Sequence, residues 1–296
     1  MTRRRLDAEL VRRGLVSSRE QGRAAIEGGR VSVSGVTATK AATQVDDAVA
    51  IELIAEPGSD FASRGAHKLI GALDAFGLDV RDANALDAGA STGGFTQVLL
   101  QRGARHVIAV DVGYGQLAWS LRSDDRVTVL ERTNVRHLDA SRDELPYPPD
   151  LVVADLSFIS LTAVLPALVT VAAPAANLVL MVKPQFEVGK ERVGSGVVTS
   201  PDLRREAVAR VVRAAEAERL AIFGVAASPL PGPKGNVEYF LWMGKVGGDA
   251  AEQSEHDGAM EREDRASTGL SAGLSAGLSP EEIESAIARA VQEGPQ

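Results

Sequence analysis

The chain has 296 residues, 45% of them hydrophobic and 24% charged, enough for one large globular domain and a smaller one. It has no cysteine, which excludes a disulfide scaffold and a thiolate metal site and accords with a reducing cytoplasm. The net charge of −8 speaks against nucleic acid only as an average, because arginines crowd the first thirty positions and acids the tail.

Residues 1–57 read as a small α+β unit. Leu6, Leu10, Val11 and Leu15 form one helical stripe ended by Gly14, and Ser18 caps a second helix stopped at Gly28 and Gly29. Residues 30–36 alternate as a strand and turn, and residues 49–54 as another strand. The arginines, among them Arg5, Arg19 and Arg23, lie on or beside the two helices. Charge alone leaves two readings open, a solvated helical face or a nucleic-acid surface. The Arg-rich start has no apolar signal core behind it, and no apolar run is long enough to span a bilayer.

Glu56-Pro-Gly-Ser-Asp60 has turn chemistry, so residues 58–63 are read as a linker and residues 64–245 as the second domain. That domain opens with a helix presenting Leu69, Leu73 and Phe76 on one face. Lys68 sits near its start, where the positive helix end disfavours a cation. Strands are expected at 84–88, 106–111, 127–131, 150–155, 176–183, 221–227 and 237–243, with a clear helix at 201–218. Such alternation implies a parallel sheet covered on both faces. The last two strands follow one another across residues 228–236, which implies an antiparallel final strand, as in methyltransferase sheets and unlike dinucleotide dehydrogenases.

Residues 246–278 collapse into Gly, Ala, Ser and acids with a short Gly-Leu-Ser-Ala repeat, and read as a disordered linker. Ser279-Pro280-Glu281-Glu282 then starts a helix over 279–293, whose stripe of Ile283, Ile287 and Val291 is expected to dock on the second domain.

The stretch Asn84 to Phe95 carries the strongest chemical signal. A short strand ends in Asp87, Gly89, Ser91, Thr92, Gly93 and Gly94 supply a turn, and Phe95 enters a helix. Glycines let a ligand approach the backbone, and the first helical N–H groups stay unpaired. Asp87 would repel a pyrophosphate and attract an ammonium group. Asp111, ending the second strand, suits the two hydroxyls of a ribose, and Asn134 an adenine edge. This set fits S-adenosylmethionine better than a nicotinamide dinucleotide. Asp155 and Lys183 close the fourth and fifth strands and should face the same pocket, while Glu238 lies in the last strand. A lysine closing so apolar a strand needs a carboxylate to compensate its burial, and a purely structural ion pair is the plainer alternative.

Two resemblances sharpen the reading. The pattern Arg5-Leu-Asp, Leu10-Val, Gly14-Leu, Ser18-Arg19, Gly29-Arg-Val, Gly35 and Lys40 resembles the S4 RNA-binding domain, which implies that Arg5, Ser18, Arg19 and Arg23 contact RNA. Lys68, Asp155, Lys183 and Glu238 match in order the Lys-Asp-Lys-Glu tetrad of FtsJ-type ribose 2′-O-methyltransferases. Ser63-Arg-Gly-Ala-His-Lys-Leu, Ala154-Asp-Leu-Ser-Phe-Ile-Ser and Val182-Lys-Pro-Gln-Phe-Glu look closely like the TlyA family, rRNA cytidine 2′-O-methyltransferases also labelled haemolysins.

The fold so implied is α/β, a class I (Rossmann-like) methyltransferase sheet with an antiparallel last strand, preceded by an S4 domain. The activity so implied is methyl transfer from S-adenosylmethionine to a ribose 2′-hydroxyl of ribosomal RNA, in the cytoplasm, without metal or membrane. Lys183 would accept or steer the hydroxyl proton, Asp155 would position Lys183 and hold the cofactor's amino-acid end, and Glu238 would orient Lys183 or Lys68. The competing readings are a pseudouridine synthase, an RNA-binding protein with an inactive methyltransferase fold, and a membrane-active haemolysin. The glycine turn with its acids speaks against the first and the complete tetrad against the second. The missing spanning segment speaks against the third.

Overall fold

The computed structural model describes residues 3–13, 15–16, 18–46, 49–53, 61–141, 145–194, 196–245 and 277–295. The expected helix stop at Gly14, strand end at Ile54, turn at 56–60 and all but the last two residues of the 246–278 linker lie outside them.

In the first unit β1 (Arg4–Arg5) leads into α1 (Leu6–Arg12) and α2 (Arg19–Glu27), followed by β2 (Val31–Val33), β3 (Val36–Thr37), β4 (Gln44–Val45) and β5 (Ile51–Leu53). β3, β2 and β5 form an antiparallel sheet, and β1 pairs with β4 in a two-residue ladder that the sequence pattern did not reveal. Leu6, Leu10, Ala25, Ile26, Val31 and Val45 close over a small core. α1 stops earlier than its apolar stripe, because the Leu15 N–H turns back to the Leu10 carbonyl at 2.9 Å. Ser18 caps α2 as expected, its Oγ accepting from the Gln21 N–H.

The second unit runs α3 (Gly65–Phe76), β6 (Asn84–Ala88), α4 (Gly94–Gln101), β7 (His106–Val110), α5 (Trp119–Arg122), β8 (Val127–Leu130) and β9 (Leu151–Ala154). It continues with α6 (Leu165–Val171), β10 (Asn177–Val182), α7 (Pro184–Glu187), α8 (Lys190–Val193), α9 (Pro201–Ala217), β11 (Leu220–Ala227), β12 (Tyr239–Lys245) and α10 (Pro280–Glu293). The sheet order is β11-β12-β10-β9-β6-β7-β8, parallel from β10 to β8, with β12 antiparallel to both its neighbours.

Every residue of β10 is buried. Leu178, Leu180 and Val182 enter the core on one face, and Val179 and Met181 the core on the other. Each such side chain contributes about 1.5–3 kcal/mol on burial, which is why a strand covered on both sides reads as an unbroken apolar run.

β12 begins at Tyr239, later than the sequence pattern suggested, so Glu238 precedes the strand instead of lying in it. The Ser228 N–H donates to the Glu238 carbonyl at 2.8 Å and the Ser228 hydroxyl to the Leu230 carbonyl at 2.8 Å. These bonds turn the chain just beyond the last β11–β12 pair, Ala227 with Tyr239. Asp155 and Lys183 likewise stand one residue past β9 and β10. Pro184 has no N–H to continue a ladder and instead opens α7 behind Lys183.

α10 has the complete capping box of Ser279 and Glu282. Its Ile283, Ile287 and Val291 are buried in the same core as Tyr239, Leu241 and Met243, and the Leu278 N–H donates to the Ile222 carbonyl of the edge strand β11 at 2.7 Å.

Candidate active site

The parallel strands deliver their carboxyl ends to one edge of the sheet, and the sequence-predicted groups gather there. Register places Leu180 of β10 beside Ala154 of β9 and Val182 of β10 opposite Tyr239 of β12. Asp155 and Lys183, each one residue beyond its strand, and Glu238, one residue before β12, therefore share one rim. Lys68 reaches it from α3, whose first-turn Gly65 faces Asp155: a Cβ there would lie 3.8 Å from Asp155 Oδ2.

The four groups form two ion pairs. Lys68 Nζ donates to Glu238 Oε2 at 2.5 Å, with side-chain exposures of 10% and 0%. Lys183 Nζ stands 2.5 Å from Asp155 Oδ1 and donates to Ser157 Oγ at 2.9 Å. Glu238 thus holds Lys68, not Lys183, and Lys68 is buried instead of exposed on its helix. The unfavourable helix end is overridden by a carboxylate 170 positions away in sequence. Glu238 Oε1 is buried with no hydrogen-bond partner. Ser157 escaped sequence reasoning, although it stands two residues after Asp155 in the same motif.

The glycine turn lies beside these pairs. Gly89 has φ +86°, and a Cβ on it would come within 2.9 Å of the Asp155 carbonyl. Gly93 has φ +100°, and a Cβ there would overlap Leu121 Cδ1. Both positions need glycine for conformation and for space. Ser91 also takes a positive φ and its N–H donates to Asp111 Oδ2 at 2.9 Å, while the Gly113 N–H donates to Asp111 Oδ1 at 2.6 Å. Asp111 is therefore fixed at the end of β7 with remaining acceptor capacity on each oxygen. Asn134 is exposed and caps a short 3-10 turn, its Oδ1 accepting from the Arg136 N–H.

Asp87 is sealed as completely as Glu238. It is 0% exposed, accepts from Thr96 Oγ1 at 2.7 Å and leaves Oδ1 without a partner. Burial pushes its carboxyl up to about 7, opposed by the Thr96 hydrogen bonds and assisted by the charges of Asp155 and Asp111. Thr96, in the first turn of α4, is itself fully buried and ties the end of β6 to the helix that follows the glycine turn.

On the first unit, Arg5 forks onto Asp7 (Nε to Oδ1 3.0 Å, Nη2 to Oδ2 2.9 Å) and Arg19 Nη2 reaches the same carboxylate at 3.1 Å. Asp7, itself 0% exposed, thereby sets two of the expected RNA-contacting arginines side by side. Ser18 is engaged as the cap of α2, and Arg23 is exposed on the same helix. A cavity of about 920 Å³ lies between the two units, lined among others by Arg30, Arg64, His67, Thr92, Tyr114 and Gln116 and, among the described residues, by no carboxylate. It touches the glycine turn at Thr92 but none of the four paired groups. Tyr114, Trp119 and Phe158 stand 69%, 77% and 91% exposed in the segments that follow β7 and β9.

Sheet order, glycine turn and strand-end acids define the class of protein, a Rossmann-like methyltransferase. The FtsJ-like methyltransferase family matches residues 61–245, and the S4 domain matches residues 4–49. The chain is 52% identical over 294 residues, 99% of each chain, to the 16S/23S rRNA (cytidine-2′-O)-methyltransferase TlyA of Mycobacterium tuberculosis H37Rv. It is 35% identical over 242 residues, 79% of this chain and 97% of the relative, to Hemolysin A of Brachyspira hyodysenteriae. A solved hemolysin-named structure from Streptococcus thermophilus superposes with a TM-score of 0.69 at 33% identity, covering 99% of this chain and 97% of that one. The chain belongs to the TlyA family of FtsJ-like methyltransferases.

Proposed function

We propose that this chain transfers a methyl group from S-adenosylmethionine to a ribose 2′-hydroxyl of ribosomal RNA, on cytidine of the 16S and/or 23S molecule, in the cytoplasm. The observation that carries the reading is the pairing of Lys68 with Glu238 and Lys183 with Asp155 on one rim beside the glycine turn. The residues present fit the cofactor: Gly89 and Gly93 let the turn after β6 follow its positive-φ course close against its neighbours, and Asp111 offers acceptors just past the end of β7. When bound, S-adenosylmethionine supplies an electrophilic methyl group on a sulfonium.

The chain's own residues do the rest. Lys183 Nζ accepts or steers the proton of the attacking hydroxyl, held in place by Asp155 and Ser157. Glu238 fixes Lys68 beside that centre. Most of the acceleration comes from alignment of oxygen, carbon and sulfur in a fixed site. Arg5, Ser18, Arg19 and Arg23 bind RNA phosphates, and exposed rings at the catalytic edge offer faces on which unpaired bases stack.

The hemolysin names of some relatives suggest a membrane role, but no helix among the described residues is long and apolar enough to cross a membrane. The apolar stripe of α10 is buried against the sheet.

The test is transfer of labelled methyl from S-adenosylmethionine to isolated ribosomal subunits, followed by mapping of 2′-O-methyl groups. Wild type should label ribosomal RNA, and Lys183→Ala should lose roughly 10²–10⁴-fold in rate while still binding cofactor. Methylation of a base instead of a ribose, or full activity in Lys183→Ala, would overturn the reading.

A further inference from the structure

Glu187 is a buried acid that the mechanism above leaves unused. It is 2% exposed and ends α7, four residues after Lys183. Its Oε2 accepts from Ser160 Oγ at 2.5 Å and its Oε1 from the Leu161 N–H at 2.8 Å. Arg210 of α9 donates Nη1 to the Glu187 carbonyl at 2.9 Å, anchoring the same residue from behind. Burial pushes the carboxyl up, and the Ser160 and Leu161 hydrogen bonds oppose that shift.

The segment it grips is held by side-chain packing, with Leu156 and Ile159 against the core and Phe158 5.5 Å from the Phe186 ring, but has few backbone hydrogen bonds of its own. Residues 155–160 form neither helix nor strand, and the N–H groups of residues 156–160 have no protein acceptor among the described residues. Phe158 sits at φ +66°, a left-handed conformation unfavourable for a bulky residue. Yet this segment carries Asp155 and Ser157, the two groups that hold Lys183 Nζ.

We infer that Glu187 is a positioning residue for the proposed methyl transfer: its buried carboxylate clamps the Asp155–Ser157 segment to the Lys183 turn and so fixes Lys183 Nζ in place. The inference rests on the role proposed for Lys183. Glu187→Ala removes both bonds and leaves the Leu161 N–H buried without an acceptor. A misplacement of about 1 Å at a reacting group costs on the order of 10²-fold in rate. Glu187→Gln keeps an oxygen for Leu161 and offers its amide N–H to Ser160 Oγ, which can accept. Ser160→Ala removes one bond of the two.

The experiment measures kcat, KM for ribosomal RNA and cofactor affinity for wild type, Glu187→Ala, Glu187→Gln, Ser160→Ala and the control Lys183→Ala. Expected are a kcat loss on the order of 10²-fold in Glu187→Ala and a smaller loss in Ser160→Ala. Recovery of most of the rate is expected in Glu187→Gln, with cofactor affinity within about twofold of wild type throughout. Wild-type kcat in folded Glu187→Ala, or a Gln variant as slow as Ala, would overturn the clamp. If Glu187→Ala does not fold, an unchanged kcat in Ser160→Ala overturns it and a reduced kcat supports it. A failure of the underlying reading looks different: wild type would not methylate ribosomal RNA, or Lys183→Ala would retain full rate.

Discussion

Lys68→Met leaves the Glu238 carboxylate 0% exposed, with one oxygen already unpartnered and the other stripped of its ammonium. Breaking a buried pair in this way costs about 3–5 kcal/mol, because the remaining charge has neither water nor a counter-ion. For a unit of this size that lowers the melting temperature by roughly 6–20 °C. Glu238→Gln should cost less, about 1–2 kcal/mol, since its amide oxygen can still accept from Lys68. The double substitution Lys68→Met with Glu238→Met removes both charges and fills the space with unbranched, adaptable side chains. It should lie within about 1 kcal/mol of wild type while abolishing methyl transfer. Urea unfolding at neutral pH without cofactor, run as a double-mutant cycle with Glu238→Met as the second single variant, measures the coupling directly. A double variant no more stable than Lys68→Met would refute the assignment of this pair as a desolvated, mutually compensating unit.

Three further outcomes are expected. Gly93→Ala, at φ +100° and with Leu121 Cδ1 in the way of the added carbon, should lose about 1–3 kcal/mol of stability and bind S-adenosylmethionine more weakly; calorimetry showing unchanged affinity and stability would contradict it. Asp87, raised to about 7, contributes stability that is fully present below its unfolded value near 4 and is lost as pH rises to 7, about 4 kcal/mol in all. Asp87→Asn should therefore stabilise the protein at pH 8 relative to wild type and change little at pH 4, and a stability difference independent of pH would refute this. Asp7 behaves oppositely, because the Arg5 hydrogen bonds hold it down to about 2. Its contribution is present above about pH 4 and is lost as pH falls through 2, and the half-exposed arginines reduce it to about 1 kcal/mol. Asp7→Asn should flatten that acid limb in amide-resolved NMR of the first unit, since both tryptophans, Trp119 and Trp242, lie in the second; an unaltered limb would contradict the assignment.

The positions of the second unit's strands and the antiparallel last one, the glycine turn, the cap at Ser18 and the capping box at Ser279 were legible in the sequence. Each depends on neighbours within a few residues or on an apolar period that burial imposes. The chemical residue types of the site were legible too, since lysines and acids at the ends of apolar strands have few structural uses. Their partners were not. Whether Glu238 would hold Lys68 or Lys183, that Ser157 would support Lys183, and that Asp87 would be sealed by Thr96 depended on side-chain directions across strands and helices distant in sequence. The start of β12 after Glu238 was likewise decided by the Ser228 turn. Local periodicity determines which residues form each element, whereas the pairing of charges is decided only when the folded chain excludes water and leaves each buried charge just the neighbours packed against it.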